Sequence, residues 1–149
     1  MGFRTLAATV ALSMFGTAAS AGAPEVFTGR FSDLAVGGYD PVAYFEASAP
    51  VKGAKEFAYQ YEDATWLFSS ADNLDQFKQD PEAFAPQYGG YCAWAVAQGY
   101  TAPGNPKNWS VRGGRLYLNY DNSVQAKWLK DPDGFIAKAD LNWPAVLDK

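Results

Sequence analysis

Across its 149 residues this chain carries one cysteine and no histidine. No disulfide can close within it, and one thiol without imidazoles cannot assemble a tetrahedral zinc site. Whatever fold it takes is held by packing alone. The material for a core is present, because 48% of the residues are apolar and 16% aromatic, against 19% charged. That is a globular balance, not a disordered one. One domain of this length buries roughly two thirds of its unfolded surface. The same absences exclude chemistry. Without histidine there is no Ser-His-Asp or Cys-His relay. With 12 basic and 16 acidic side chains, net charge −4, no phosphate-binding surface is expected and nucleic acid is not a partner.

Residues 1–21 read as a cleaved signal peptide. Arg4 stands in a short leading segment, an apolar run follows from Leu6 to Phe15, and Ala19-Ser20-Ala21 supplies the small-x-small cleavage site. Ala21-Gly22-Ala23 fits the same rule but would leave Pro24 first, so the cut is placed after Ala21. The run is too short for a membrane span, which needs about 20 residues. The expectation is an exported protein, periplasmic if the cell is Gram-negative, with no membrane span after cleavage. Met1, Met14 and Arg4 all leave with the leader.

Residues 22–33 read as an extended N-terminal arm and 34–149 as the folded domain. Leu34-Ala35-Val36 predicts a short strand stopped by Gly37-Gly38. Asp40 before Pro41 predicts a capped helix to about Ala47. Glu56 to Tyr61 alternates with period two and pairs with Thr65 to Ser69 as a hairpin. Ser70 caps a helix to Gln79, and Pro81 to Phe84 makes a further helical turn. Tyr91 to Gln98 is apolar nearly all round, which predicts a buried helix ended by Gly99. Trp109 to Arg112 and Leu116 to Tyr120 flank Gly113-Gly114, a second hairpin. Asn122 or Ser123 caps a helix through Lys130, and a last helix spans about Asp133 to Asp140 before a turn at Asn142-Trp143-Pro144. Asp131-Pro132-Asp133-Gly134 reads as a turn, not a calcium loop. No internal repeat is apparent. The class is α+β: a small single domain with two β-hairpins packed against several short helices.

Gly38-Tyr39-Asp40-Pro41-Val42-Ala43-Tyr44-Phe45, Phe68-Ser69, Phe77 with Asp80-Pro81, and Tyr88-Gly89-Gly90-Tyr91-Cys92-Ala93 together resemble the exported bacterial YHS-domain proteins. Leu116-Tyr117-Leu118-Asn119 and Ala139 to Pro144 extend the likeness over nearly all of residues 30–145. The resemblance implies a YHS-like fold but no settled activity. The broader YHS and TRASH-related modules often bind metal through a cysteine after Asp-Pro-Val and others just past the Tyr-x-Phe strand. Those positions here are Ala43, Ser69 and Asn73. The thiols are gone, so no metal ligand and no cofactor is assigned.

Cys92 is the candidate catalytic residue. At a helix start its thiol would meet the positive dipole end, which favours thiolate. The alternative is an inert thiol packed as a small hydrophobe. Tyr39, Asp40, Tyr44, Tyr88, Tyr91, Trp94, Tyr100 and Trp109 are the candidate ligand-binding set, since aromatic rings with a few polar tips can line a pocket. Core packing competes with that reading, and an N-cap role competes for Asp40. Arg112 and Arg115 bracket a solvated turn, and the Asn108-Trp109-Ser110 sequon is incidental in an exported bacterial chain. The leading expectation is a binding or accessory module of unassigned ligand with a degenerate metal site. The alternatives are a thiol-dependent redox protein using Cys92, and a metal site shared between two chains through a Cys92-mediated dimer. The partner is a small molecule or another protein. Whether the protein is an enzyme stays open.

Overall fold

The computed structural model of the chain describes residues 22–149, so the leader at 1–21 lies outside the described residues. The class is as the pattern predicts: two antiparallel hairpins and several short helices. Helix α1 spans Ala43–Glu46, strands β1 and β2 span Ala54–Tyr61 and Ala64–Phe68, and helices α2 and α3 span Ala71–Gln79 and Pro81–Phe84. Helix α4 follows at Ala93–Gln98, then strands β3 and β4 at Asn105–Arg112 and Arg115–Asn119. Helices α5 and α6 close the fold at Asn122–Trp128 and Pro132–Asn142. Each hairpin is a separate two-stranded sheet.

Local chemistry sets the boundaries. Ser70 Oγ accepts the Asn73 N–H at 3.1 Å and so starts α2. Gly99 takes a left-handed φ of 89° and ends α4. Three expectations need correction. Leu34 and Ala35 form isolated bridges and Val36–Gly38 a 3-10 turn, not a strand. The cap of α5 is Asp121, whose carboxylate accepts the Val124 N–H at 2.8 Å. Asp131 caps α6 in the same way, so Asp131 to Gly134 begins a helix where a turn was expected.

The larger correction concerns repetition. The chain folds as two similar halves, the second about 51 residues on. Val36, Gly37 and Gly38 hold φ of 53°, 58° and 82°, and Tyr88, Gly89 and Gly90 hold 57°, 61° and 86°. Tyr39 then bridges Lys52, as Tyr91 bridges Pro103. The Asp40 N–H donates to the Val51 carbonyl at 2.8 Å, as the Cys92 N–H does to that of Ala102. Each half continues into a hairpin with an irregular register after its first pair, at Ala54/Ala58 and at Asn105/Trp109. Both turns, Glu62-Asp63 and Gly113-Gly114, have positive φ. A side-chain-capped helix and an Asp-Pro helix start follow in each half. Sequence identity between the halves is sparse, which hid the repeat. The surviving marks are Gly-Gly-Tyr at 37–39 and 89–91 and Asp-Pro-x-x-Phe at 80–84 and 131–135.

Each half has its own apolar cluster. Val42, Tyr44, Trp66, Phe68 and Phe77 pack in the first, and Tyr91, Val96, Tyr117, Trp128 and Ala139 in the second. Strand β4 joins them by its period of two. Leu116 and Leu118 enter the first cluster, while Tyr117 enters the second. The N-terminal arm is pinned across the second half by Ala23 N–H to Leu147 O and Phe27 N–H to Gly89 O, both 2.8 Å.

Candidate functional site

Asp40 is fully buried, and its carboxylate is the most heavily bonded side chain in the first half. Oδ1 accepts the backbone N–H of Val42 at 2.8 Å and of Ala43 at 3.3 Å. Oδ2 accepts Ser69 N–H at 2.8 Å, Ser69 Oγ–H at 2.6 Å and Asn73 Nδ2–H at 2.8 Å. The carboxylate thus ties the start of α1, the end of β2 and the first turn of α2 into one knot. A buried carboxylate is tolerable only when its oxygens are satisfied in this way. The cap position of α1 falls to Val42 and not to Asp40 as expected; Asp40 instead bonds the turn that leads into the helix, and has a larger task that spacing alone does not reveal.

Cys92 occupies the matching point of the second half, as the N-cap of α4 and not within its first turn. It is fully buried. Burial pushes its thiol above the ordinary value, and the Asp121 carboxylate adds to that, while the backbone N–H groups of Ala95, Tyr120 and Trp94 pull the other way. The desolvation penalty wins, so the thiol is the favoured form. Its Sγ–H meets Asn119 Oδ1 at 3.5 Å, and the same oxygen accepts the Trp94 N–H at 3.1 Å. Asn119 is itself fully buried, and its Nδ2 has no acceptor. A cleft of about 230 Å³ is lined by Cys92, Trp94, Ala95, Tyr100, Ala102, Tyr120 and Val124.

The aromatic candidates do not converge on one pocket. Trp94 and Tyr100 line the cleft at Cys92. Tyr44 and Trp109 pack together at 5.4 Å between ring centres, with the Tyr44 hydroxyl donating to Pro106 O at 2.6 Å. Tyr39 packs against the first core. Tyr91 donates to Pro24 O at 2.8 Å and fastens the arm. Tyr88 donates to Asp140 Oδ1 at 2.8 Å and lines a second cleft. That cleft, about 370 Å³, is walled by the rings of Tyr61, Trp66, Tyr88 and Trp143 and edged by Glu25, Glu62, Glu82 and Arg115. Arg112 makes a two-point ion pair with Asp133 at 2.8 and 3.0 Å. The Asn108 amide is buried and bonded to Asn122 and Gln125, in keeping with an incidental sequon.

Sequence reasoning missed Asn119, Tyr120 and Val124 as surroundings of the thiol. The repeated Gly-Gly-Tyr, followed once by Asp40 and once by Cys92, is the signal that could have found them.

Residues 42–88 match the family model of the YHS domain. The matched stretch ends where the second half begins. No curated protein and no solved structure matches the chain. The metal that the YHS resemblance implies does not fit the residues present. Ala43, Ser69 and Asn73, where the metal-binding relatives place thiols, surround Asp40 and spend its oxygens on hydrogen bonds. Among the described residues no group of three or more acidic or cysteine side chains is placed to hold a metal ion. No helix there is long and apolar enough to cross a membrane.

Proposed function

Taking the YHS domain at residues 42–88 as the premise, we propose that this protein is an exported, non-catalytic binding module that takes a small organic cation. The observation that carries the reading is the closed state of the Asp40 knot. The positions that bind metal in related modules here bond a carboxylate with no oxygen left over. Metal handling and acid-base chemistry at that point lose their groups, and ligand binding falls to the clefts. The cleft of about 370 Å³ is within the usual size range for small ligands. Rings at Tyr61, Tyr88 and Trp143 with carboxylates at Glu25, Glu62 and Glu82 suit a positive charge, which is drawn to aromatic faces and acidic edges. Arg115 at the same edge opposes a bare cation and favours one that also carries an acceptor.

The alternatives, thiol redox turnover and a metal shared between two chains, each need Cys92 at the surface as a thiolate. Its burial and raised pKa oppose both. Titration of the purified protein with tetramethylammonium, betaine and methylguanidinium, read by tryptophan fluorescence, tests the reading. A saturable change that Trp143→Ala weakens at least tenfold is expected. Stoichiometric zinc or copper binding that Asp40→Asn abolishes would overturn it.

A further inference from the structure

The knot in the first half has an open counterpart in the second. Ser69 precedes the Ser70 cap of α2, and Asn73 gives that cap its N–H. Tyr120 and Val124 stand in the same two places at the Asp121 cap of α5. With Cys92 in the place of Asp40, Ala95 takes that of Ala43, and Ala102 that of Val51. In the first half five hydrogen bonds to one carboxylate close the space between these places. In the second no carboxylate stands there, and the corresponding residues line the cleft of about 230 Å³. We propose that this cleft is a second binding site, distinct from the one walled by Trp143, and that it takes a small uncharged aromatic molecule of one ring.

The space suits such a guest. An apolar cavity of about 150 Å³ is enough to hold benzene, so a cleft of about 230 Å³ has room for a ring and a substituent. Cys92 and Ala95 are buried, at 0% and 1% exposure, while Tyr100 and Tyr120 are about half exposed. The cleft therefore runs from a dry floor to an open mouth. Its wall at Ala102 is fixed in advance, because the Ala102 carbonyl accepts the Cys92 N–H at 2.8 Å.

The lining selects against charge. None of the residues around the cleft is ionic, so a charged guest would shed its water and find no partner. Lys127 Nζ already lies over the Trp94 ring, 5.5 Å from its centre, and repels an organic cation at this wall. The rings select for an aromatic guest. Trp94 stands edge-on to Tyr100, with ring centres 6.4 Å apart and planes at 83°, and Tyr120 supplies a third ring. Edge-on and offset contacts between rings are favourable beyond the area they bury. A planar ring gains from them, and an aliphatic molecule of the same size does not.

The test titrates the purified full chain with phenol and benzyl alcohol, by calorimetry and by the Trp94 indole N–H resonance, assigned through Trp94→Phe. Saturable one-to-one binding that moves this resonance is expected. Cyclohexanol should bind roughly fivefold more weakly, and benzylammonium and benzoate about tenfold more weakly or less. Tetramethylammonium should leave phenol binding unchanged, which separates this site from the cation cleft and lets either reading fail alone. Ala102→Leu and Val124→Phe each place a side chain in the cleft. Each should melt like the parent and weaken phenol binding about tenfold or more. Absence of saturable binding, displacement of phenol by tetramethylammonium, or benzoate binding more tightly than benzyl alcohol would overturn the proposal. So would unfolding of both filling variants, which would mean that the space is not there, or a dimer in sedimentation that covers Trp94, which would make a second copy the occupant.

Discussion

Replacing Asp40 tests the knot that closes the first half. In Asp40→Ala five donors lose their acceptor. Ser69 is exposed and Asn73 half-buried, so their side chains can turn to water. The N–H groups of Val42 and Ala43 cannot, since both residues are buried at 0% and 2% exposure. Two stranded N–H groups at about 1–3 kcal/mol each, with the loss of a charged acceptor, give about 4 kcal/mol. For a domain of this size that is a fall in melting temperature of about 15 °C. Asp40→Asn keeps Oδ1 for Val42 and Ala43 but turns an amide donor toward the Ser69 N–H. It should cost about 2–3 kcal/mol, roughly 10 °C. Thermal and urea unfolding followed by circular dichroism and tryptophan fluorescence measure both. If either variant melts within about 2 °C of the parent, the carboxylate does not organise this half and the reasoning fails.

Iodoacetamide at pH 8 should label Cys92 at least tenfold more slowly in the folded protein than in denaturant, because burial holds the thiol protonated; equal rates would contradict the packing around the sulfur. Stability should fall as pH rises past about 9. Cys92, Tyr44 and Tyr88 are all raised, chiefly by burial, so each contributes stability present below its unfolded pKa and lost above it. Urea titrations from pH 7 to 11 would show a flat profile if these groups were solvated. Gly53→Ala and Gly104→Ala should each cost about 1–3 kcal/mol or prevent folding. A Cβ at Gly53 meets the Leu67 backbone, and one at Gly104 meets the Gly90 carbonyl oxygen. If one variant melted like the parent and the other unfolded, the correspondence between the halves would fail at that point.

Much of this protein was legible along the chain. The period-two run at Glu56 to Tyr61, the Gly113-Gly114 turn, the Ser70 cap and the Gly99 stop are local signals, and each depends on neighbours a few residues away. So does the absence of histidine and of a second cysteine, which limits the chemistry before any fold is known. The role of Asp40 was only half legible. Its bonds to Val42 and Ala43 are local, but those to Ser69 and Asn73 span 29 and 33 residues. The surroundings of Cys92 were not legible at all. A helix start suggested an acidic thiol, yet the packing of α4 against β4 and α5 removed the water that a thiolate needs, and desolvation outweighed the backbone donors. The repeat was written only in Gly-Gly-Tyr and Asp-Pro-x-x-Phe, because a backbone arrangement survives as long as turns, caps and close approaches are kept. Sequence by itself determined the class, the turns and the excluded chemistries, which follow from residue type and spacing. Tertiary structure alone decided that Asp40 and Cys92 stand at corresponding points of two similar halves, because the backbone bonds that mark those points, to Val51 and to Ala102, carry no side-chain signature.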